Sequence, residues 1–109
     1  MIPRKLSNLL NIYYINAQSL LGHKNEIELL LEKHQIDILC ISETWLYPYI
    51  NNSCINIPNY NVYREDKGRG GGVCIYIRDY LRVTELNSEI ENVEGIEAKW
   101  VTIQHRKLP

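Results

Sequence analysis

The chain is 109 residues long, enough for one domain and too short for two. Hydrophobic residues make up 45% and charged residues 23%, a globular composition, and no apolar run approaches the roughly 18 residues that span a bilayer. The net charge of -1 leaves no global footprint for nucleic acid, which argues against a stand-alone DNA binder but not against a metal-dependent nuclease, whose site must itself be acidic.

At the N-terminus Arg4 and Lys5 precede "LSNLLNIYYINA", but Ser7, Asn8 and Asn11 interrupt it, so no signal peptide is expected. "LNIYYIN", Leu10 to Asn16, is rich in β-branched and aromatic residues and predicts a first strand. "AQSLLGHKNEIELLLEKH" predicts a loop running into a helix. Ile27, Leu30, Leu31 and His34 fall on one face, and Lys33 and His34 sit at the end favoured by the helix dipole. "QIDILCIS" predicts a second strand whose continuous run, Ile38 to Ile41, suits burial on both faces. Strand, helix and strand within about forty residues make a βαβ unit with parallel neighbours.

"LYPYINNSCINIPNYN" is loop-like, with Pro48, Pro58 and several asparagines. "NVYRED" and Gly72 to Arg78 predict two strands joined across "KGRGGG" as a β-hairpin. "LRVTEL" predicts a short strand, "NSEIENVE" a loop, and "GIEAKWVTIQ" a strand in which Ile96, Ala98 and Trp100 alternate with Glu97 and Lys99. The fold class is therefore α/β, a mixed sheet of five or six strands with one main helix. One helix cannot cover both faces of such a sheet, so part of the covering layer is expected from elsewhere.

Cys40, Cys54 and Cys74 are odd in number and widely spaced, which speaks against a disulfide framework or a zinc site and for a reduced intracellular compartment. The sequon at Asn51 to Ser53 carries no weight without a secretory signal.

Ligands of open α/β sheets bind at the carboxyl ends of the strands. Asn16 ends the first strand and Glu43 follows the second, so parallel pairing would bring an amide and a carboxylate together. Such a pair suits a hard cation such as Mg²⁺, which takes one or two carboxylates and keeps several waters. A solvated loop glutamate and a turn asparagine are the plainer alternatives. "KGRGGG" lacks the Gly-Lys-Ser/Thr ending of a phosphate loop and leads into a strand, so it is expected to be a hairpin turn. Trp45, Tyr47 and Tyr49 could stack on bases or, more simply, cover the sheet edge.

"INAQSL", "DILCISETWL", "YREDKGRGGGVCIYIRD" and "EGIEAKWVTI" together resemble, in order and spacing, the endonuclease domain of jockey-like LINE (non-LTR) retrotransposons. That domain belongs to the endonuclease/exonuclease/phosphatase superfamily. The resemblance runs over nearly the whole chain from Leu10. It implies the first half of a DNase I-like four-layer α/β sandwich and Mg²⁺-dependent nicking of target DNA by phosphodiester hydrolysis. In that likeness Asn16 and Glu43 are the catalytic residues, with Glu43 the metal ligand. Gln18 falls where relatives carry a polar residue, often Asp or Asn. Gln18, Arg64, Lys67 and Arg69 are the possible DNA contacts, with a solvated loop the plainer reading for the three basic residues.

The sequence departs from the family in lacking its later Tyr, its Asp-x-Asn motif and its terminal Asp-His pair. His23, His34 and His105 are expected at the surface or at helix caps rather than as the missing base. Residues 1–109 therefore read as a partial domain truncated at its C-terminus, inactive alone and weak or lacking in Mg²⁺ binding. It would be completed by the missing half or by self-association, in a cell compartment that is nuclear for a working retroelement. The alternatives are a non-catalytic binding remnant and a phosphatase-type member of the superfamily.

Overall fold

A computed structural model describes residues 9–86 and 95–104. The expectations for residues 1–8, for the "NSEIENVE" loop and for His105 lie outside the described residues. Strand β1 (Ile12–Asn16) is followed by a 3-10 turn (Leu21–His23), helix α1 (Lys24–His34) and strand β2 (Ile38–Ser42). Then come a second 3-10 turn (Asn52–Cys54) and strands β3 (Tyr60–Glu65), β4 (Val73–Arg78), β5 (Arg82–Glu85) and β6 (Val101–Gln104).

The expected βαβ unit is present: β1 and β2 pair in parallel, from Ile12 opposite Ile38 to Asn16 opposite Ser42. The expected hairpin is present too, with β3 antiparallel to β4, and β4 also pairs antiparallel with β2. The resulting mixed sheet has the order β1-β2-β4-β3. Strands β5 and β6 do not extend it. They form a separate two-stranded sheet, so the expected five- or six-stranded sheet is instead four strands plus a ribbon.

Register sorts the side chains onto two faces. Leu39 and Ile41 of β2 and Tyr76 of β4 join a core with Ile27 and Leu31 of α1, closed at one end by Leu46, Ile55 and Ile57 from the long loop. Leu31 is fully buried, which is worth about 1.5–3 kcal/mol relative to exposure. Helix α1 stops at Gln35, whose left-handed backbone (φ 48°) lets its N–H reach the carbonyl of Leu31. His34, expected on the apolar face, is exposed and rests its ring 6.0 Å from that of Tyr13.

The opposite face carries Ile38, Cys40, Ile75 and Ile77, packed with Leu81 and with Val83, Val101 and Ile103 of the ribbon. A two-stranded ribbon is marginal alone, so this apolar contact is what holds β5 and β6 in place. The ribbon thus supplies part of the covering layer that one helix cannot. It leaves Ile12 and Tyr14, on the same face of β1, 61% and 66% exposed.

The strand expected from Gly95 onward begins only at Val101. Residues 95–100 instead run beside the sheet, fixed by Glu97 and by the 2.8 Å pair of Lys99 with Glu85. The expected alternation is absent there: Ile96 and Glu97 are both exposed and Ala98 and Lys99 both half-buried. Among the described residues no helix is long and apolar enough to cross a membrane.

Candidate active site

Beyond Asn16 and Ser42 the two parallel strands stay linked. The amide of Ala17 donates to Ser42, that of Ser19 to Glu43 and that of Leu20 to Thr44, at 2.9–3.1 Å. On the other side Thr44 and Trp45 donate to Gly72 and Gly71 of the loop before β4. Glu43 and Trp45, flanking Thr44, both take left-handed backbone (φ 51° and 58°), as do Gln18 and Ser19 (φ 44° and 92°). Non-glycine residues in this region cost of order 1 kcal/mol each and gather at sites where a side chain must be aimed.

The outcome is the pairing expected from the strand ends. The Asn16 amide Nδ2 donates to Glu43 Oε2 at 2.5 Å. Glu43 is half-buried and Asn16 exposed. The amide fixes the carboxylate's orientation and occupies one oxygen, leaving Oε1 for a ligand. Gln18 is exposed on the turn after β1. A cavity of about 460 Å³ opens beside Asn16, with Gln18, His23 and Glu26 among its polar lining and Ile15, Ala17, Ile27 and Leu30 as its apolar wall. His23 stands at the start of α1 without capping it. Its Nδ1 lies 2.9 Å from Glu26 Oε2. That placement beside Asn16 carried no sequence signal beyond proximity to the turn.

The donor set fits a hard divalent cation in its sparsest form. Glu43 offers one oriented carboxylate, and Mg²⁺ accepts as few as one, completing its octahedron with water and substrate phosphate. Among the described residues no group of three or more His, Cys, Asp or Glu side chains gathers to hold a metal.

The three basic residues of the hairpin diverge. Arg64 forms two hydrogen bonds to the Asp66 carboxylate, two to the carbonyls of Tyr47 and Ile50, and one to Asn52 Oδ1. A guanidinium has five N–H donors and all five are used here, so Arg64 braces the loop after β2. Lys67 pairs with Glu97 at 3.0 Å while staying 62% exposed. Arg69 is exposed, with its guanidinium carbon 5.4 Å above the Trp45 ring.

In the sequence Glu97 is only one of the charged residues alternating along an expected strand. It accepts the Gly72 N–H at 2.6 Å as well as the Lys67 ammonium, and these two donors hold its carboxyl below the usual glutamate range. It thereby ties residues 95–100 to the glycine loop that receives Thr44 and Trp45.

The fold that carries this site has counterparts. The profile of the Endonuclease/Exonuclease/phosphatase family matches residues 9–99. An AP endonuclease from Archaeoglobus fulgidus superposes with a TM-score of 0.53 and 26% identity over 63% of this chain and 27% of its own. An AP endonuclease from Leishmania major superposes with a TM-score of 0.56 and 24% identity over 82% of this chain and 32% of its own. The chain therefore spans about a third or less of these neighbours, and its mixed sheet with one main helix is part of their DNase I-like fold. No curated protein matches the chain.

Proposed function

Because the chain belongs to the Endonuclease/Exonuclease/phosphatase family, we propose that it carries the first portion of a Mg²⁺-dependent DNA endonuclease domain. The neighbouring AP endonucleases support the nuclease reading, and the "SETWL" and "GRGGGV" wording supports a LINE-type retroelement as its source. The observation that carries the proposal is the Asn16 amide aimed at Glu43 Oε2, at the shared carboxyl end of two parallel strands.

Glu43 would hold the metal through its remaining oxygen. When bound, Mg²⁺ supplies charge neutralisation at the phosphoryl and leaving oxygens. Asn16 contributes by holding the carboxylate in one orientation, which removes the cost of ordering it when the ligand arrives. Gln18, on the same turn, is positioned at the rim of the adjoining cavity to donate to a phosphate oxygen. The reaction also needs a group to orient or deprotonate water. Among the described residues the histidine beside the site, His23, is already engaged with Glu26. We therefore expect this chain by itself to bind divalent metal weakly and to turn over little or no DNA.

Mn²⁺ serves as a paramagnetic stand-in for the test. Amide signals of residues 16–18 and 43–45 should broaden on titration, and Glu43→Ala should abolish the effect. Broadening that ignores Glu43→Ala would overturn the metal assignment. In a plasmid-nicking assay with Mg²⁺ the chain alone should stay at background, and turnover that survives Glu43→Ala would sink the catalytic reading.

A further inference from the structure

The loop that leaves β2 wears its aromatic residues on the outside. Tyr47 and Tyr49 stack, with ring centroids 5.4 Å apart and planes 16° from parallel. Tyr49 is nevertheless 79% exposed, and Tyr47 40%. The simpler expectation was that this cluster covers the sheet edge; the outer ring covers nothing.

The pair is held in place. Arg64 clamps the loop backbone at the carbonyls of Tyr47 and Ile50. The Tyr47 ring lies on Gly68, where a Cβ would come within 2.5 Å of Tyr47 Cε1. The Tyr47 hydroxyl also meets the Arg69 N–H at 3.4 Å. Tyr49 thus presents a flat face on a braced support. Arg69, whose N–H meets Tyr47 and whose guanidinium lies over Trp45, pairs with no carboxylate among the described residues. The nearby acids Asp66 and Glu97 are engaged by Arg64 and Lys67.

We propose that Tyr49, seated on Tyr47, is a stacking platform for an unpaired nucleobase of a DNA strand, with Arg69 held against Tyr47 and Trp45 as the cation of the same surface. The inference rests on the nuclease reading and adds the form of substrate that the site would take. A base offers a π-face to the ring and its backbone offers an anion to Arg69, the pairing that single-strand binders use. Chain length limits how far the platform lies from Glu43. Trp45 Cα is at most about 7 Å from that of Glu43, and Tyr49 at most about 21 Å. The platform is therefore within reach of a strand bound at Glu43. Stacking of this kind tolerates any sequence, because every base has a π-face.

The test uses the full 109-residue chain and a fluorescently labelled oligothymidylate, read by anisotropy at low salt. Tyr49→Ala should weaken binding roughly tenfold to a hundredfold, the usual effect of removing one stacked aromatic. Tyr49→Phe should retain the affinity, and Tyr49→Leu should lose it, which separates stacking from plain apolar contact. An abasic oligomer of equal charge should bind as weakly as the oligothymidylate binds Tyr49→Ala. No binding by the wild-type chain, equal binding of the abasic oligomer, or a Tyr49→Leu variant as tight as wild type would each overturn the platform. Glu32→Gln, at an exposed position of α1, should leave oligothymidylate affinity unchanged. Loss of the Glu43-dependent Mn²⁺ signal with Tyr49 binding intact would instead sink the metal reading alone.

Discussion

Thr44 and Gly72 lock together where Glu43 emerges from the sheet. The Thr44 N–H donates to the Gly72 carbonyl at 3.3 Å, and a Cβ on Gly72 would stand 2.5 Å from Thr44 Oγ1. Gly72 also sits at φ 92°, a conformation that L side chains rarely adopt. Gly72→Ala should therefore cost about 2–3 kcal/mol, combining backbone strain with a clash against a buried side chain. Gly70 is the control. Its φ is 86° but nothing lies within 4 Å, so Gly70→Ala should cost only about 1 kcal/mol. Urea denaturation of both variants measures the difference, and equal losses would show that the Thr44 contact does not matter.

Asn16→Ala tests the site more gently than loss of Glu43. The carboxylate stays but is free to rotate, so the net contribution of one solvent-exposed hydrogen bond, about 1–1.5 kcal/mol, is lost from the oriented state. Mn²⁺ affinity should fall roughly fivefold to tenfold on that account. Unchanged affinity would mean that the amide does not position Glu43.

The opposite end of β2 holds the strongest stability prediction. Asp37 is fully buried, and accepts the Asn11 N–H at 2.7 Å and the Tyr80 hydroxyl at 2.8 Å. Asp37→Ala deprives both donors of a charged acceptor and should destabilise the chain by about 3 kcal/mol. That is a large share of the 5–15 kcal/mol typical of a domain. A fall in the urea midpoint with little change in slope would bear this out; a midpoint within error of wild type would not.

These residues also show where sequence reading succeeds and stops. The βαβ unit was legible because its signals are local: Ile27 and Leu31 recur at helical spacing, and Ile38 to Ile41 form an unbroken apolar run. Glu43 and Asn16 were legible because parallel pairing necessarily juxtaposes two strand ends. The left-handed backbone of Glu43 and Trp45 was not, since neither is a glycine. The brace made by Arg64 was not legible, since two of its acceptors are backbone carbonyls, which have no sequence signature, and a third, Asn52, lies 12 positions away. Residues 95–100 misled because alternating apolar and charged residues look the same in a strand and in a strap. The choice is made by Glu97, through partners 25 and 30 positions away in the chain.

Thiol reactivity should rank the cysteines by burial. Cys54 is exposed, Cys40 half-buried and Cys74 buried. Burial raises the Cys40 thiol and pushes Cys74 up to about 12. With a disulfide reagent at pH 8 the folded chain should lose one thiol quickly, a second slowly and the third only on unfolding. Rapid modification of Cys74, located by peptide mapping, would contradict the packing of β4 against the loop core.

The strap over the sheet should loosen in acid. Glu97 is held below the ordinary glutamate range first by the Gly72 N–H and then by Lys67. A carboxyl depressed on folding adds stability above its unfolded value, and that contribution is lost as pH falls through the folded one. The contribution should therefore be intact at neutral pH, start to decline near pH 4 and be gone below the folded value. Its size is limited, because the side chain is 36% exposed and Lys67 62%, so solvent screens the pair. Trp100, on the same segment and 49% exposed, reports the change. In a Trp45→Phe background its fluorescence should shift on acidification before the chain unfolds. Glu97→Gln should show the acid-like signal already at pH 7. A Glu97→Gln variant that keeps the neutral-pH spectrum and the same acid transition as its parent would mean that Glu97 does not tie the strap to the glycine loop.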